Sequence, residues 1–200
     1  MTTHSQTNSS TLESYEHGLD AYIQGTAQSV NPGLEVFIDR AFEGVAKDAS
    51  VLELGAGFGR DALHLGSRGF AVTPTDAALS FVRELQHRGL PAYQLNVLTD
   101  ELPPADVIYA NAVFLHLTRT ELAETLSKCR GALRPQGRLV FTLKRGAGEE
   151  WSEDKLGAPR YFVYWEAPAL TALLQGAGFS SVSIAEEWNG SSSWLMVTAS

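Results

Sequence analysis

Apolar residues recur along the 200-residue chain with two different periods. Leu12, Tyr15, Leu19, Tyr22 and Ile23 are three or four apart, which places them on one face of a helix over 12–25. A loop over 28–33 follows, with Asn31-Pro32-Gly33 as its turn signal. Leu34, Phe37, Ile38, Ala41, Phe42 and Val45 resume the helical spacing. The pattern then contracts to short apolar runs of strand length at 51–54, 70–73, 91–97, 105–111 and 138–144. The third run opens on proline, which a strand tolerates at its first residue. Helical stretches separate the runs. One over 60–68 closes at Gly69 and one over 77–88 at Gly89, glycine being common just past a helix end. Thr118-x-x-Glu121 has the form of a capping box and opens a helix running to Ala132. A turn over 134–137 leads to the fifth strand. Residues 145–160 are polar, with glycines at 146, 148 and 157, and predict a working loop. Residues 161–165 form the most aromatic segment, and alternation along a strand sends at least two of those rings to the core. Pro168 suits a first helical turn, in a helix ending near Gly178. Strands over 180–186 and 194–198 flank Asn189-Gly190 as a hairpin.

Strands alternating with helices imply a parallel sheet covered on both faces. Right-handed crossovers then give a doubly wound α/β layout in one domain. The expected sheet has seven strands, mostly parallel, with a C-terminal antiparallel hairpin strand. Residues 12–200 form that domain, and residues 1–11, rich in Ser, Thr and Asn, predict a disordered tail.

Composition narrows the function classes. The formal charge is −8 and the pI about 5.1, a poor match for a nucleic-acid partner, which wants a basic face. No apolar run approaches the length of a membrane span. The N-terminus lacks the basic start and apolar centre of a signal peptide. Cys129 is the one cysteine, so no internal disulfide forms and a reducing, cytoplasmic setting fits. The histidines show no metal-ligand spacing, and no metal is expected. Oligomeric state is not legible.

The chemistry concentrates in Val51-Leu52-Glu53-Leu54-Gly55-Ala56-Gly57-Phe58-Gly59-Arg60-Asp61. A short strand, a glycine turn and a helix start let a ligand lie against bare backbone. A dinucleotide fingerprint reads G-x-G-x-x-G. Here the third glycine falls at 59 and position 60 is Arg, so the pattern is E-x-G-x-G-x-G. Asp76 stands just past the second strand run. A carboxylate there can accept from two ribose hydroxyls at once.

This pattern resembles the first motif of the class I S-adenosylmethionine (SAM)-dependent methyltransferases, a Rossmann-like fold. The resemblance runs through most of the chain, and the turn at 133–137 looks like the family's L-x-P-G-G, with Gln136 in place of its first glycine. Residues 144–149, 160–164 and 176–179 are similar to a branch of small bacterial methyltransferases acting on small molecules. The resemblance implies SAM as cofactor and a small-molecule methyl acceptor, with methyl transfer to O, N, S or C by in-line displacement. It implies that Gly55, Ala56, Gly57 and Gly59 bare the backbone to the methionine and ribose, with Glu53 bracing the loop. Arg60 and Asp61 would meet the ends of the methionine tail, Asp76 and Ala77 the ribose side, Asn96 and Val97 the adenine, and Asn111 the cofactor edge of strand four. Residues 12–33 resemble the family's lid segment, bringing Tyr15 and Tyr22 over a sulfonium.

Plainer roles stand beside these. Asp76 can cap the helix after it, and Asp61 suits a first helical turn in any case. Asn96 can be a turn residue. Both tyrosines can simply pack. His116 is a candidate base or a packing residue. Lys144, Arg160 and Tyr164 could contact an anionic substrate, or the cations could pair with Glu149, Glu150, Glu153 and Asp154. No catalytic residue is assigned. The site after strand four reads Asn111-Ala112-Val113-Phe114, unlike the Asn-Pro-Pro-Tyr grip on amide-like nitrogens. The competing readings are a SAM-binding regulator without activity and a dinucleotide-dependent oxidoreductase.

Overall fold

A computed structural model describes residues 6–200. The expected tail is thereby divided: residues 1–5 lie outside the described residues, and residues 6–11 are helix. Helix α1 spans Gln6–His17 and α2 spans Leu19–Gln24, so the single helix expected over 12–25 is broken at Gly18. Close approach of Ser14 and Leu156 requires glycine at the break. A β-carbon at Gly18 would lie 2.7 Å from the Ser14 carbonyl oxygen and 3.2 Å from the Leu156 side chain. α3, Pro32–Ala41, begins where Asn31 accepts a hydrogen bond from the Leu34 N–H at 2.9 Å and Pro32 needs no donor.

The remaining elements follow in order: β1 Ser50–Leu54, α4 Arg60–Ser67, β2 Ala71–Asp76, α5 Leu79–His87, β3 Tyr93–Gln94 and β4 Ala105–Ala110. After a 3₁₀ turn at Phe114–His116 come α6 Arg119–Ala132, β5 Leu133–Lys144, β6 Glu149–Ser152, β7 Arg160–Val163, α7 Ala167–Gly176, β8 Val182–Trp188 and β9 Ser193–Ala199. The capping box of Thr118 and Glu121 forms at the start of α6.

The main sheet has seven strands in the order β3-β2-β1-β4-β5-β9-β8. Pairing is parallel from β3 to β5, and β9 runs antiparallel to both β5 and β8. Alternation decides which side chains face which layer. Val51, Tyr109 and Val140 pack with Phe37, Ile38 and Phe42 of the α3 segment on one face. Leu52, Ile108, Leu139 and Phe141 pack with Leu122 and Leu126 of α6 and Leu170 and Leu174 of α7 on the other. Cys129 is buried in that second layer, and burial pushes its thiol up to about 12.

Three segments differ from their sequence expectation. β3 is two residues rather than seven, because Asn96 turns the chain: its Oδ1 accepts from Leu98 N–H at 3.0 Å, and its own N–H donates to Asp100 at 2.9 Å. The turn expected over 134–137 is absorbed into β5, where the pairing register with β4 shifts and Gln136 takes φ 66°. The loop expected over 145–160 contains β6, which pairs antiparallel with β7 as a separate two-stranded sheet. All four β7 residues are buried rather than alternating, and Trp165 is buried just beyond them. α1 lies against β7, so that strand is covered on more than one side.

Candidate functional site

Two cavities meet at the carboxyl edge of the parallel strands, where open α/β sheets bind ligands. One is about 120 Å³ and the other about 310 Å³, and Tyr22, Gly55, Asn111 and Ala112 line both.

The smaller cavity has Asp76 at its base. The carboxylate accepts from Gly57 N–H at 3.0 Å with one oxygen and from Ala78 N–H at 3.0 Å with the other. Asp76 is therefore not the cap of α5, whose N-cap is Ala78 with no side-chain bond; it closes the turn between β2 and α5 and ties β2 to the glycine loop. Burial raises it to about 6, against the pull of backbone N–H groups from Ala78, Gly57 and Ala77. Ala77, Asn96 and Val97 line the same cavity, with Phe81, Leu95 and Leu117 supplying apolar walls. Asn96 Oδ1 is already used by Leu98 N–H, and an amide oxygen has one more lone pair to offer.

The larger cavity has a charged wall. Arg60 Nε donates to one oxygen of Asp61 at 2.6 Å. The other oxygen accepts from Tyr109 Oη at 3.1 Å and from Asn111 Nδ2 at 2.7 Å. Asn111 Oδ1 accepts from Thr142 Oγ1 at 2.7 Å, and Thr142 Oγ1 accepts from Ala112 N–H at 2.9 Å. Burial pulls the Arg60 guanidinium down, and the bond and charge of Asp61 more than offset that. Glu53 sits behind the network, 2% exposed, with Oε2 buried and without a partner among the described residues. Burial first, and Asp61 second, hold its carboxyl well above the usual range. The sequence showed Arg60, Asp61 and Asn111. It did not show Tyr109 or Thr142, whose only signal was a hydroxyl inside an apolar strand.

The glycines divide the work. At Gly57, φ is +58°, and a β-carbon would come within 3.3 Å of the Tyr22 ring. At Gly59, φ is +92°, and a β-carbon would sit 2.5 Å from Leu90 and 2.9 Å from Leu85. Gly59 lines neither cavity, so its bare backbone serves packing on α5.

The cap joins α1 and α2 to β7. Thr11 Oγ1 accepts from Tyr161 N–H at 3.0 Å, and Ser14 Oγ donates to the Pro159 carbonyl at 2.7 Å. Both side chains are buried. Glu16 accepts from Ser80 N–H at 3.1 Å, tying α1 to the start of α5. Tyr15 and Tyr22 meet edge to face, 5.8 Å between centroids, and each also meets Phe81.

His116 is buried, and burial lowers its ring to about 3. Nδ1 lies 2.6 Å from the Tyr161 carbonyl and therefore carries the proton. Nε2, 2.9 Å from Tyr15 Oη, then accepts from that hydroxyl. Both ring nitrogens are engaged, and the histidine holds the cap. Arg60, Asp61, Glu53 and Ala56 line the larger cavity, whereas Lys144, Arg160 and Tyr164 line neither. Arg145 pairs with Glu166 at 3.5 Å and Glu186 at 3.2 Å, not with the acids of its own loop.

Residues 52–139 match a family described as a methyltransferase domain. No curated protein matches the chain. Among solved structures, the DhpI-SAM-HEP complex has a TM-score of 0.78 at 20% identity, covering 100% of each chain. The DhpI-SAH complex gives 0.76 at 22% identity, covering 100% of this chain and 98% of that one. The Burkholderia thailandensis 1,6-didemethyltoxoflavin-N1-methyltransferase, with bound 1,6-didemethyltoxoflavin and S-adenosylhomocysteine, gives 0.70 at 22% identity, covering 94% and 84%. These likenesses show that the chain shares its fold with those structures beyond the matched segment. Among the described residues, no helix is long and apolar enough to cross a membrane. No group of three or more His, Cys, Asp or Glu among them is placed to hold a metal ion.

Proposed function

We propose that this chain is a SAM-dependent methyltransferase, moving a methyl group to a nucleophilic O, N, S or C atom of a small molecule. The observation carrying this is the joined pair of cavities, with the Asp76 carboxylate at one end and the Arg60–Asp61 pair at the other. That layout suits a ligand with a ribose diol and an amino-acid tail. Asp76 would take the diol, Asn96 and Val97 the adenine edge, and Arg60 with Asp61 the charged tail. Glu53 fits too, because its buried, unpartnered oxygen can accept from a donor that the ligand or a water brings.

Bound SAM supplies a methyl group already activated on a sulfonium. The protein's part is then alignment and exclusion of water, and alignment alone can contribute up to about 7–11 kcal/mol. Tyr22, lying over Gly57 between the two cavities, is the residue placed to orient the reacting centre. His116 is not the base in this reading, since both its nitrogens are engaged.

Thermal melting tests the proposal. S-adenosylhomocysteine should raise the melting temperature and NAD should not, by ordinary binding linkage. Gly57→Val should abolish the shift, because valine at φ +58° is strained and its branches meet Tyr22. A shift with NAD would favour the oxidoreductase reading. Ligand binding with no methylated product from any nucleophile class would favour a regulator.

A further inference from the structure

We propose that Arg160, with Lys144 and Lys155 beside it, forms an oxyanion subsite that seats an acidic head group of the methyl acceptor. The proposal rests on the methyl-transfer reading and names the substrate class that reading leaves open.

Arg160 is the anomaly. It is 6% exposed, yet no carboxylate lies within ion-pair distance of it among the described residues. One Nη donates to Tyr15 Oη at 3.2 Å, and Nε is buried with no acceptor among the described residues. A buried guanidinium left unpaired is costly, and natural interiors rarely keep one without a partner. Arg60, Arg68 and Arg145 in the same chain each hold a carboxylate.

Its neighbours are also cations. The Arg160 guanidinium lies 5.1 Å from the centroid of Phe162 and 5.7 Å from that of Tyr15. Lys144 Nζ lies 4.5 Å from the same Phe162 ring, and Lys155 Nζ lies 4.1 Å from the ring of Tyr22. Burial, then Arg160, then Arg60 pull Lys155 down to about 8. Lys144 is likewise lowered by burial, with Arg160 adding to it against the pull of Glu150 and Asp154. Glu150 and Asp154 favour the charged lysine from a distance, but among the described residues neither forms an ion pair with Lys144, Lys155 or Arg160. Arg160 is thus linked to Lys144 through the shared Phe162 ring and reaches Tyr15, while Lys155 reaches Tyr22 and lines the larger cavity; Tyr15 and Tyr22 line the smaller one. In a protein of net charge −8, that concentration of unpaired positive charge at one wall is what a carboxylate or phosphonate would neutralise.

The test is calorimetric titration of acetate, methylphosphonate and the neutral dimethyl methylphosphonate, each into free protein and into protein saturated with S-adenosylhomocysteine. The expected result is saturable binding of at least one anion and none of the neutral ester. The tighter anion says whether the head group is a carboxylate or a phosphonate. Arg160→Met should weaken the anion at least tenfold, with Arg160→Lys recovering part of the loss, while homocysteine-product binding stays unchanged. Lys155→Met, on the loop, should weaken the anion about threefold and provides the answer if Arg160→Met does not fold. Binding of neither anion, or equal binding to wild type and folded variants, overturns the subsite. Failure of S-adenosylhomocysteine to bind defeats the methyl-transfer reading instead, and the free-protein titrations then decide the subsite alone.

Discussion

In the floor of the site, the ties span at most 50 residues of chain. Arg60 and Asp61 are adjacent, and Gly57 and Asp76 are 19 residues apart. In the cap, the ties span most of the sequence: Tyr15 to His116 over 101 residues, Ser14 to Pro159 over 145, Thr11 to Tyr161 over 150. The floor hangs on strand tips fixed by the sheet and by charge-assisted bonds. The cap is a polar helix held by a few hydroxyls, so its opening should require far less free energy than global unfolding. A site that must admit and release its ligand needs that inequality.

The largest effect should come from the floor. Asp61 compensates Arg60 and receives Tyr109 and Asn111, so removing it strands three partners at once. Asp61→Ala should destabilise the whole domain by about 3–5 kcal/mol, the usual result of breaking a buried pair. Urea unfolding measures this. A variant that keeps the wild-type midpoint would mean the floor is no more rigid than the cap.

Acid should separate the two regions. His116 in the cap stays neutral down to about 3, against about 6.5 when unfolded. Between those values the unfolded chain binds more protons, so the stabilisation is full above 6.5 and is lost as pH falls toward 3, at about 1.4 kcal/mol per unit. Asp76 in the floor has the opposite sign. Its folded value, about 6, lies above the unfolded carboxylate, so the floor gains as pH falls from 6 toward about 4. Hydrogen exchange corrected for intrinsic rate, between pH 7 and 4.5, should show segment 6–24 losing protection while segment 51–76 keeps its own. Equal loss in both segments would erase the distinction.

This difference also explains what the sequence could show. The strand, glycine turn and Asp76 were legible because their spacing is local and the φ values demand glycine. The first half of α1 was hidden because residues 6–11, Thr11 among them, look like tail until β7 is placed beside them. β6 and its pairing with β7 were hidden for the same reason: a polar stretch pairs there with an aromatic one, whose rings are buried by a helix 150 residues upstream. Arg160 was visible as a candidate, but its lack of a carboxylate could only be seen once the four nearby acids had been placed.

The smallest effect makes the comparison directly, by placing the same substitution in both regions. Gln136, at the register shift within β5, and Lys155, on the β6–β7 loop against the cap residue Tyr22, are non-glycine residues at φ 66° and 63°. The left-handed region costs an ordinary residue roughly 1–2 kcal/mol, and glycine escapes that cost but gives part of it back in the unfolded chain. Gln136→Gly should therefore stabilise by about 0.5 kcal/mol net and raise the melting temperature by about 1–2 °C. It restores the glycine that the L-x-P-G-G turn carries and touches nothing in either cavity, so ligand affinity should not change. Lys155→Gly relieves the same strain but removes the ammonium over Tyr22. Its melting gain should shrink toward zero, since a cation over an aromatic face contributes about 0.5–1 kcal/mol. A larger gain at Lys155 than at Gln136 would mean that the lysine is a burden on the fold, retained for the ligand alone.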